Sequence, residues 1–79
     1  MIDRKTFPAD RNCEIVVTTE GMADGTWAVV ASVKHVSERS EKVTDLPVPR
    51  QRFASQAEAE DYGVTLGRQW IAQNAPHAA

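Results

Sequence analysis

The chain has a single cysteine, Cys13, so no disulfide can form within it. A lone thiol in a short chain is typical of a reducing compartment. No apolar run approaches the ~20 residues that a membrane helix requires. Residues 1–11 carry charges without the apolar segment of a signal peptide. We therefore expect a cytoplasmic protein without a membrane partner.

The sequence also lacks an excess of charge and any catalytic motif. Nine basic residues against eleven acidic ones give a net charge of -2, and so no overall attraction to nucleic acid. There is no nucleophile elbow, glycine-rich phosphate loop, zinc-protease motif or pair of closely spaced cysteines. Ser32 or Ser37 could be grouped with His35 and Asp45, but nothing in the sequence positions such a triad. We expect neither an enzyme nor a metal or cofactor site.

The length of 79 residues indicates one domain. Residues 1–11 mix charges with scattered apolar side chains, which is typical of a flexible lead-in. Residues 12–75 contain all the periodic segments and form the predicted domain. Residues 76–79 follow the last periodic segment and are interpreted as a tail.

Two segments alternate apolar and polar residues as half-buried strands do. In residues 12–20, Cys13, Ile15 and Val17 share one face. Residues 26–36 are the strongest strand, with Trp27 and Val33 at the ends of its apolar face. The glycines and the Asp-Gly pair of residues 20–25 predict a hairpin between the two strands.

A third extended segment, residues 43–53, contains Pro47 and Pro49. Proline cannot donate a ladder hydrogen bond, so these residues confine the segment to a sheet edge. The sequence does not decide whether this strand pairs along its whole length or only near Val43.

Residues 55–74 predict a helix. Ser55 followed by Glu58 fits a capping box at its start. The buried stripe contains Gly63 and Gly67, each of which costs roughly 1 kcal/mol relative to alanine inside a helix. We favour close docking of these glycines on the sheet, leaving room for a large side chain such as Trp27. A glycine-mediated helix–helix dimer is the alternative.

These elements predict an α+β fold of the β-β-β-α type. A three-stranded antiparallel meander carries one C-terminal helix on the face that bears Ile15, Val17 and Val29. The opposite face stays open and is the expected contact surface. Its predicted interface residues are Val16, Val30, Ser32 and Lys34.

Basic residues cluster near the second and third strands, with aromatic Phe53 beside them. This pattern predicts an alternative nucleic-acid interface, because basic side chains and an aromatic ring can bind a single strand. Interleaved acidic residues favour a solvated, salt-bridged rim instead. The predicted binding residues are Lys34, Arg39, Lys42, Arg50 and Arg52.

The helix entry and the "RQWI" segment resemble those of small uncharacterised bacterial β-β-β-α domains. The residues that carry this resemblance are Phe53, Ser55, Ala59, Arg68, Trp70 and Ile71. It implies a fold but no activity. The sheet-then-helix order also resembles the last part of double-stranded RNA-binding domains, yet those have a basic cluster where this chain has acidic residues 58–61.

The sequence therefore predicts a non-catalytic binding domain. It would act as a homodimer or on a protein partner, through the open sheet face or the edge strand. Small domains often use oligomerisation to supplement a limited core.

Overall fold

The computed structural model describes residues 2–10, 12–47 and 51–74, apart from the side chains of Asp10 and Asn74. Four strands precede one helix. They are β1 (Ile2–Asp10), β2 (Cys13–Gly21), β3 (Trp27–Val36) and β4 (Glu41–Asp45), followed by α1 (Gln56–Asn74). All neighbouring strands are antiparallel, in the order β1-β2-β3-β4. The α+β class is confirmed, but the sheet has four strands rather than the expected three. The predicted tail at 76–79 lies outside the described residues.

The additional strand is β1, formed by residues for which the sequence predicts a flexible lead-in. It pairs with β2 from Ile2 opposite Glu20 to Asp10 opposite Cys13, with an irregularity after Pro8. The helix lies over β2 and β3, so the edge strand β1 needs few apolar side chains. Phe7 still packs partly against the core.

The β2–β3 hairpin closes through a short loop at residues 22–26. The Gly25 N–H donates to the Met22 carbonyl at 3.1 Å, and the Met22 N–H donates to the Thr26 carbonyl at 2.8 Å. Gly25 has a φ of 87°, in the left-handed region that glycine adopts without a steric penalty. The predicted hairpin is therefore confirmed.

Within its described residues, the proline-containing segment pairs at both of its ends. β4 begins at Glu41, before the predicted start, and ends at Asp45. The Leu46 N–H then donates to the Ala31 carbonyl at 2.9 Å, and the buried Leu46 side chain joins the core. At the other end, Phe53 exchanges backbone hydrogen bonds of 2.8 and 3.0 Å with Trp27. Pro49 lies outside the described residues.

The core lies between α1 and the two central strands. The faces predicted to be buried are confirmed. The buried apolar residues are Cys13, Ile15, Val17, Val29, Ala31, Val33, Leu46, Ala59 and Ile71. The helix begins as predicted, because the Glu58 N–H donates to the Ser55 hydroxyl at 3.2 Å. This bond satisfies one of the free amides of the first turn.

The two helix glycines explain how closely α1 approaches the sheet. A Cβ on Gly63 would lie 2.8 Å from a methyl of Val17, and one on Gly67 would lie 2.6 Å from a methyl of Ile15. Close docking on the sheet is therefore confirmed, and the stripe is not free for a helix–helix dimer. Trp27 is accommodated elsewhere, because its ring lies over Gly21, its partner on β2.

Candidate interaction surface

The side chains of the sheet that point away from α1 form a continuous surface, which we call the open face. Residues directly opposite one another on antiparallel strands lie on the same side of a sheet. The pairing therefore assigns sixteen residues from all four strands to this surface. They are Ile2, Arg4, Thr6, Pro8, Glu14, Val16, Thr18, Glu20, Ala28, Val30, Ser32, Lys34, Val36, Glu41, Val43 and Asp45.

The open face holds every large, exposed apolar side chain in the described part of the chain. The exposed fractions are 67% for Ile2, 60% for Val30, 40% for Val36 and 56% for Val43. Single exposed apolar residues are common on any surface, but their confinement to one face is informative. This side of the sheet is the surface best suited to being covered.

All four predicted interface residues lie on the open face and neighbour one another. Val16 is directly opposite Ser32, and Val30 and Lys34 flank Ser32 along β3. The prediction omits the open-face residues of β1, because the sequence predicts no strand over residues 1–11, and it names none from β4.

A shallow concavity of about 490 Å³ crosses the open face. Its lining includes Val16 and Ser32 from the centre, with Arg4 on β1 and Val43 on β4. A second depression of about 70 Å³ lies beside Ile2 and Val30. The face is therefore a wide, uneven surface rather than a deep pocket, which suits a macromolecular partner better than a small molecule.

An ion-pair cluster lies at one end of the open face. Lys34 Nζ is 2.8 Å from a carboxylate oxygen of Glu41 and 3.9 Å from one of Glu14. The hydrogen bond and charge of Glu41 raise the pKa of Lys34, with a smaller contribution from Glu14. Lys34 is thus already neutralised within the chain, which weakens it as a contact for a phosphate.

The two edges of the open face differ in charge. On the open face, β1 contributes the basic residue Arg4, whereas β4 contributes the acidic residues Glu41 and Asp45. Neither Arg4 nor Asp45 makes an ion pair with any residue in the ranges that the structure describes. Among the described residues, each edge therefore presents one charge that has no ion-pair partner.

The predicted basic residues do not form one surface. Lys34 is on the open face, while Lys42 pairs with His35 and points to the opposite side. Arg39 is in the β3–β4 turn, and Arg52 lies near Asp24, whose pKa it helps to lower. Arg50 lies outside the described residues.

The aromatic ring expected beside this basic cluster is also engaged elsewhere. Phe53 packs against the core and against Tyr62, with ring centroids 5.2 Å apart. Because it faces the helix side with Trp27, it does not join Lys34 on the open face. The nucleic-acid interface stays a prediction supported by composition rather than by an assembled surface.

The suggested catalytic triad is not assembled either. Ser32 and Asp45 are opposite each other on the open face, whereas His35 is on the helix side. Ser37 instead forms a 2.8 Å hydroxyl–hydroxyl hydrogen bond with Ser40. Within residues 2–10, 12–47 and 51–74 no three acidic, histidine or cysteine side chains gather as metal ligands.

Comparison with known proteins supplies no further guide to this surface. No protein-family model, curated protein or solved structure matches the chain. The resemblance to small bacterial β-β-β-α domains therefore stays a prediction. Among the described residues, no helix has the length and apolar character needed to span a membrane.

Proposed function

We propose that this chain is a small, non-catalytic interaction domain whose open face binds a protein surface. The observation that carries the proposal is the location of Ile2, Val30, Val36 and Val43, the exposed large apolar residues, on that one face. Burying apolar surface contributes about 25 cal/mol per Å², so a partner that covers these side chains gains stability from each. A cytoplasmic location, expected from the single cysteine, belongs to the same proposal.

The opposite side of the protein offers less to a partner. The outward side of α1 carries Glu58, Asp61, Thr65, Arg68 and Gln69, all exposed. Its apolar stripe is already used against the sheet, through Ala59, Gly63, Gly67 and Ile71. Charged residues are depleted from the centres of protein interfaces, so the outward helix side is the poorer surface.

Site-specific photocross-linking tests the proposal in cells that express the full chain. A photoreactive amino acid replaces Val30 at the centre of the open face, and the same amino acid replaces Thr65 as the matched control. We expect an adduct of defined mass from position 30 and none from position 65. A second change on the face, Thr18→Lys, should remove the adduct. Thr18 lies beside Val30 on the neighbouring strand, so the new charge would have to be buried under the partner.

Other results would count against this function. Equal labelling at positions 30 and 65, or no adduct at either, would show that the open face is not a specific contact surface. An adduct that survives Thr18→Lys would have the same meaning. Mass spectrometry of the adduct also identifies the partner as a second copy or a different protein.

A further inference from the structure

We infer that the partner of the open face is a second copy of this chain, related by a two-fold axis that runs parallel to the strands between β2 and β3. This inference rests on the proposed function, because it uses the same surface. It adds the identity of the partner and the arrangement of the two sheets.

The charge pattern favours this axis because rotation about it lays β1 of one copy against β4 of the other. We call residues that are directly opposite one another on neighbouring strands a cross-strand row. Arg4 and Asp45 lie in adjacent rows, so Arg4 comes within side-chain reach of Asp45 of the second copy. The symmetry repeats this contact, so two new ion pairs form. An isologous interface requires this kind of self-complementarity, in which the same residues meet in both directions.

The open-face residues of the two central strands, β2 and β3, are also complementary about this axis. Rotation exchanges β2 and β3, so Glu14 faces Lys34 of the second copy and Val16 faces Ser32. Glu14 and Lys34 of the two copies then alternate in sign around the axis, while Glu41 stays paired with Lys34 of its own copy. Because the concavity of the open face is centred here, the two copies enclose a polar space in which ordered water can solvate these charges.

The apolar positions agree with the same arrangement. Pro8 on β1 shares a cross-strand row with Glu14, Lys34 and Val43, so rotation brings Pro8 against Val43 of the second copy. Val30 comes against Thr18 of the second copy. Val43 and Val30 thus both lose exposed surface.

A two-fold axis across the strands is disfavoured by like charges. An axis of this kind through the centre of the face lays each strand over the same strand of the second copy. Glu14 then faces Glu20 of the second copy. Like charges set against each other in an interface disfavour association. Among the described open-face residues, the axis parallel to the strands opposes no two side chains of like charge.

The area of the face suits a weak dimer. Strands about 4.8 Å apart with a rise of about 3.3 Å per residue give the face roughly 500 Å² in each copy. Two copies would bury about 1,000 Å², which is at the lower end for a specific interface. We therefore expect a dimer whose population depends on protein concentration.

Charge exchange across the axis tests the arrangement. Sedimentation equilibrium over a concentration series compares the wild-type chain with Arg4→Asp, Asp45→Arg and the double variant. Each single change should raise the dissociation constant about tenfold, because it sets like charges against each other. The double change should restore it to within about threefold, because the exchanged charges pair again. Arg68→Asp, on the exposed side of α1, is the matched control and should have no effect.

The remaining outcomes separate failure of this inference from failure of the proposed function. A wild-type chain that stays monomeric, with a Val30 adduct to another protein, would overturn the homodimer and leave the open face as a contact surface. A dimer weakened by Val30→Lys but not restored by the double charge exchange would overturn this axis alone. A dimer that Val30→Lys leaves intact must use another surface, which overturns this inference; the proposed function is then decided by the cross-linking at position 30. Thermal melting of each variant confirms that a lost dimer is not an unfolded chain.

Discussion

Gly67 of the helix lies directly over Ile15 of the sheet, with no space between them for a side chain. A Cβ built on Gly67 would be 2.6, 2.8 and 2.9 Å from three side-chain carbons of Ile15. Ile15 is completely buried and surrounded by the core. The glycine therefore sets the distance between the helix and the sheet.

We expect Gly67→Ala to lower the free energy of unfolding by about 1–2 kcal/mol. Alanine gains about 1 kcal/mol of helix propensity, but overpacking a filled core costs about 1–3 kcal/mol, and all three contacts here are too short for a real Cβ. Denaturant titration measures the change. Thr65→Ala, an exposed change in the same helix, should be neutral or stabilising.

Gly67→Ala should lower the free energy of unfolding by less when the side chain of Ile15 is shortened. Combining Gly67→Ala with Ile15→Val removes the terminal methyl, one of the three contacting atoms. We expect the double variant to be more stable than the sum of the single changes implies, as residues in direct contact are not additive. A stabilising Gly67→Ala would contradict the close docking.

Gly25 should respond to substitution differently from Gly67, because its backbone conformation, and not a lack of space, disfavours a side chain. A Cβ at this position meets nothing within 4 Å, yet the backbone φ is 87°. We expect Gly25→Ala to cost about 1 kcal/mol from left-handed strain, and Gly25→Asn to cost less, because asparagine tolerates this region better. Thermal or denaturant unfolding of the two variants would distinguish them. Equal losses in the two variants would contradict this conformational explanation.

The loop carboxylate of Asp24 should contribute a pH-dependent stability. Asp24 Oδ1 accepts hydrogen bonds from the Thr26 hydroxyl at 2.6 Å and from the Thr26 N–H at 3.0 Å. These bonds lower the pKa of Asp24 below its ordinary value of 3.8, with a smaller contribution from Arg52. Since the folded pKa is lower than the unfolded one, this stability is present above pH 3.8 and is lost as the pH falls through the folded pKa.

Unfolding of the wild type and Asp24→Asn at a series of pH values measures this contribution. Asparagine keeps an acceptor oxygen but does not titrate, so the difference between the two proteins should shrink as the solution becomes acidic. Parallel stability curves below pH 4 would contradict the assignment.

Gln56 is expected to stabilise the junction between the helix start and the sheet. Its Nε2 donates to Asp3 of β1 at 2.9 Å and to the hydroxyl of Thr19 at 3.2 Å. Thr19 is only 2% exposed, so its hydroxyl has little access to water. We expect Gln56→Ala to cost about 1–2 kcal/mol, because a buried polar group loses its partner. Gln69→Ala, the same change at an exposed helix position, should leave the unfolding free energy nearly unchanged.

The sequence predicted the elements whose side chains enter the core. Alternation in residues 12–20 and 26–36 identified the buried faces of β2 and β3, since each face packs under the helix. Ser55 located the helix start, and the glycine stripe located the side that docks. Each of these signals arises from burial or capping, which constrains residue type.

The first strand gave no such signal. β1 carries three consecutive charged residues, Asp3, Arg4 and Lys5, which conceal the alternation of a strand. An edge strand beside the helix can be polar on both sides: Lys5, on the helix side, lies 3.1 Å from a carboxylate oxygen of Glu60. Its pairing with β2 uses backbone groups, which every sequence possesses. The charge difference across the open face could not be predicted for the same reason.

The order of the elements along the chain has a consequence for synthesis on the ribosome. The two strands that α1 covers, β2 and β3, precede it along the chain, so the helix is made after them. At about 5–20 residues per second, the roughly forty residues between Val33 and the end of α1 take about 2–8 s to synthesise. During that interval Ile15, Val17 and Val33 have no helix over them. A nascent chain of this architecture is thus briefly a sheet with two uncovered sides. A chaperone that binds apolar strands would bind it most readily during this interval.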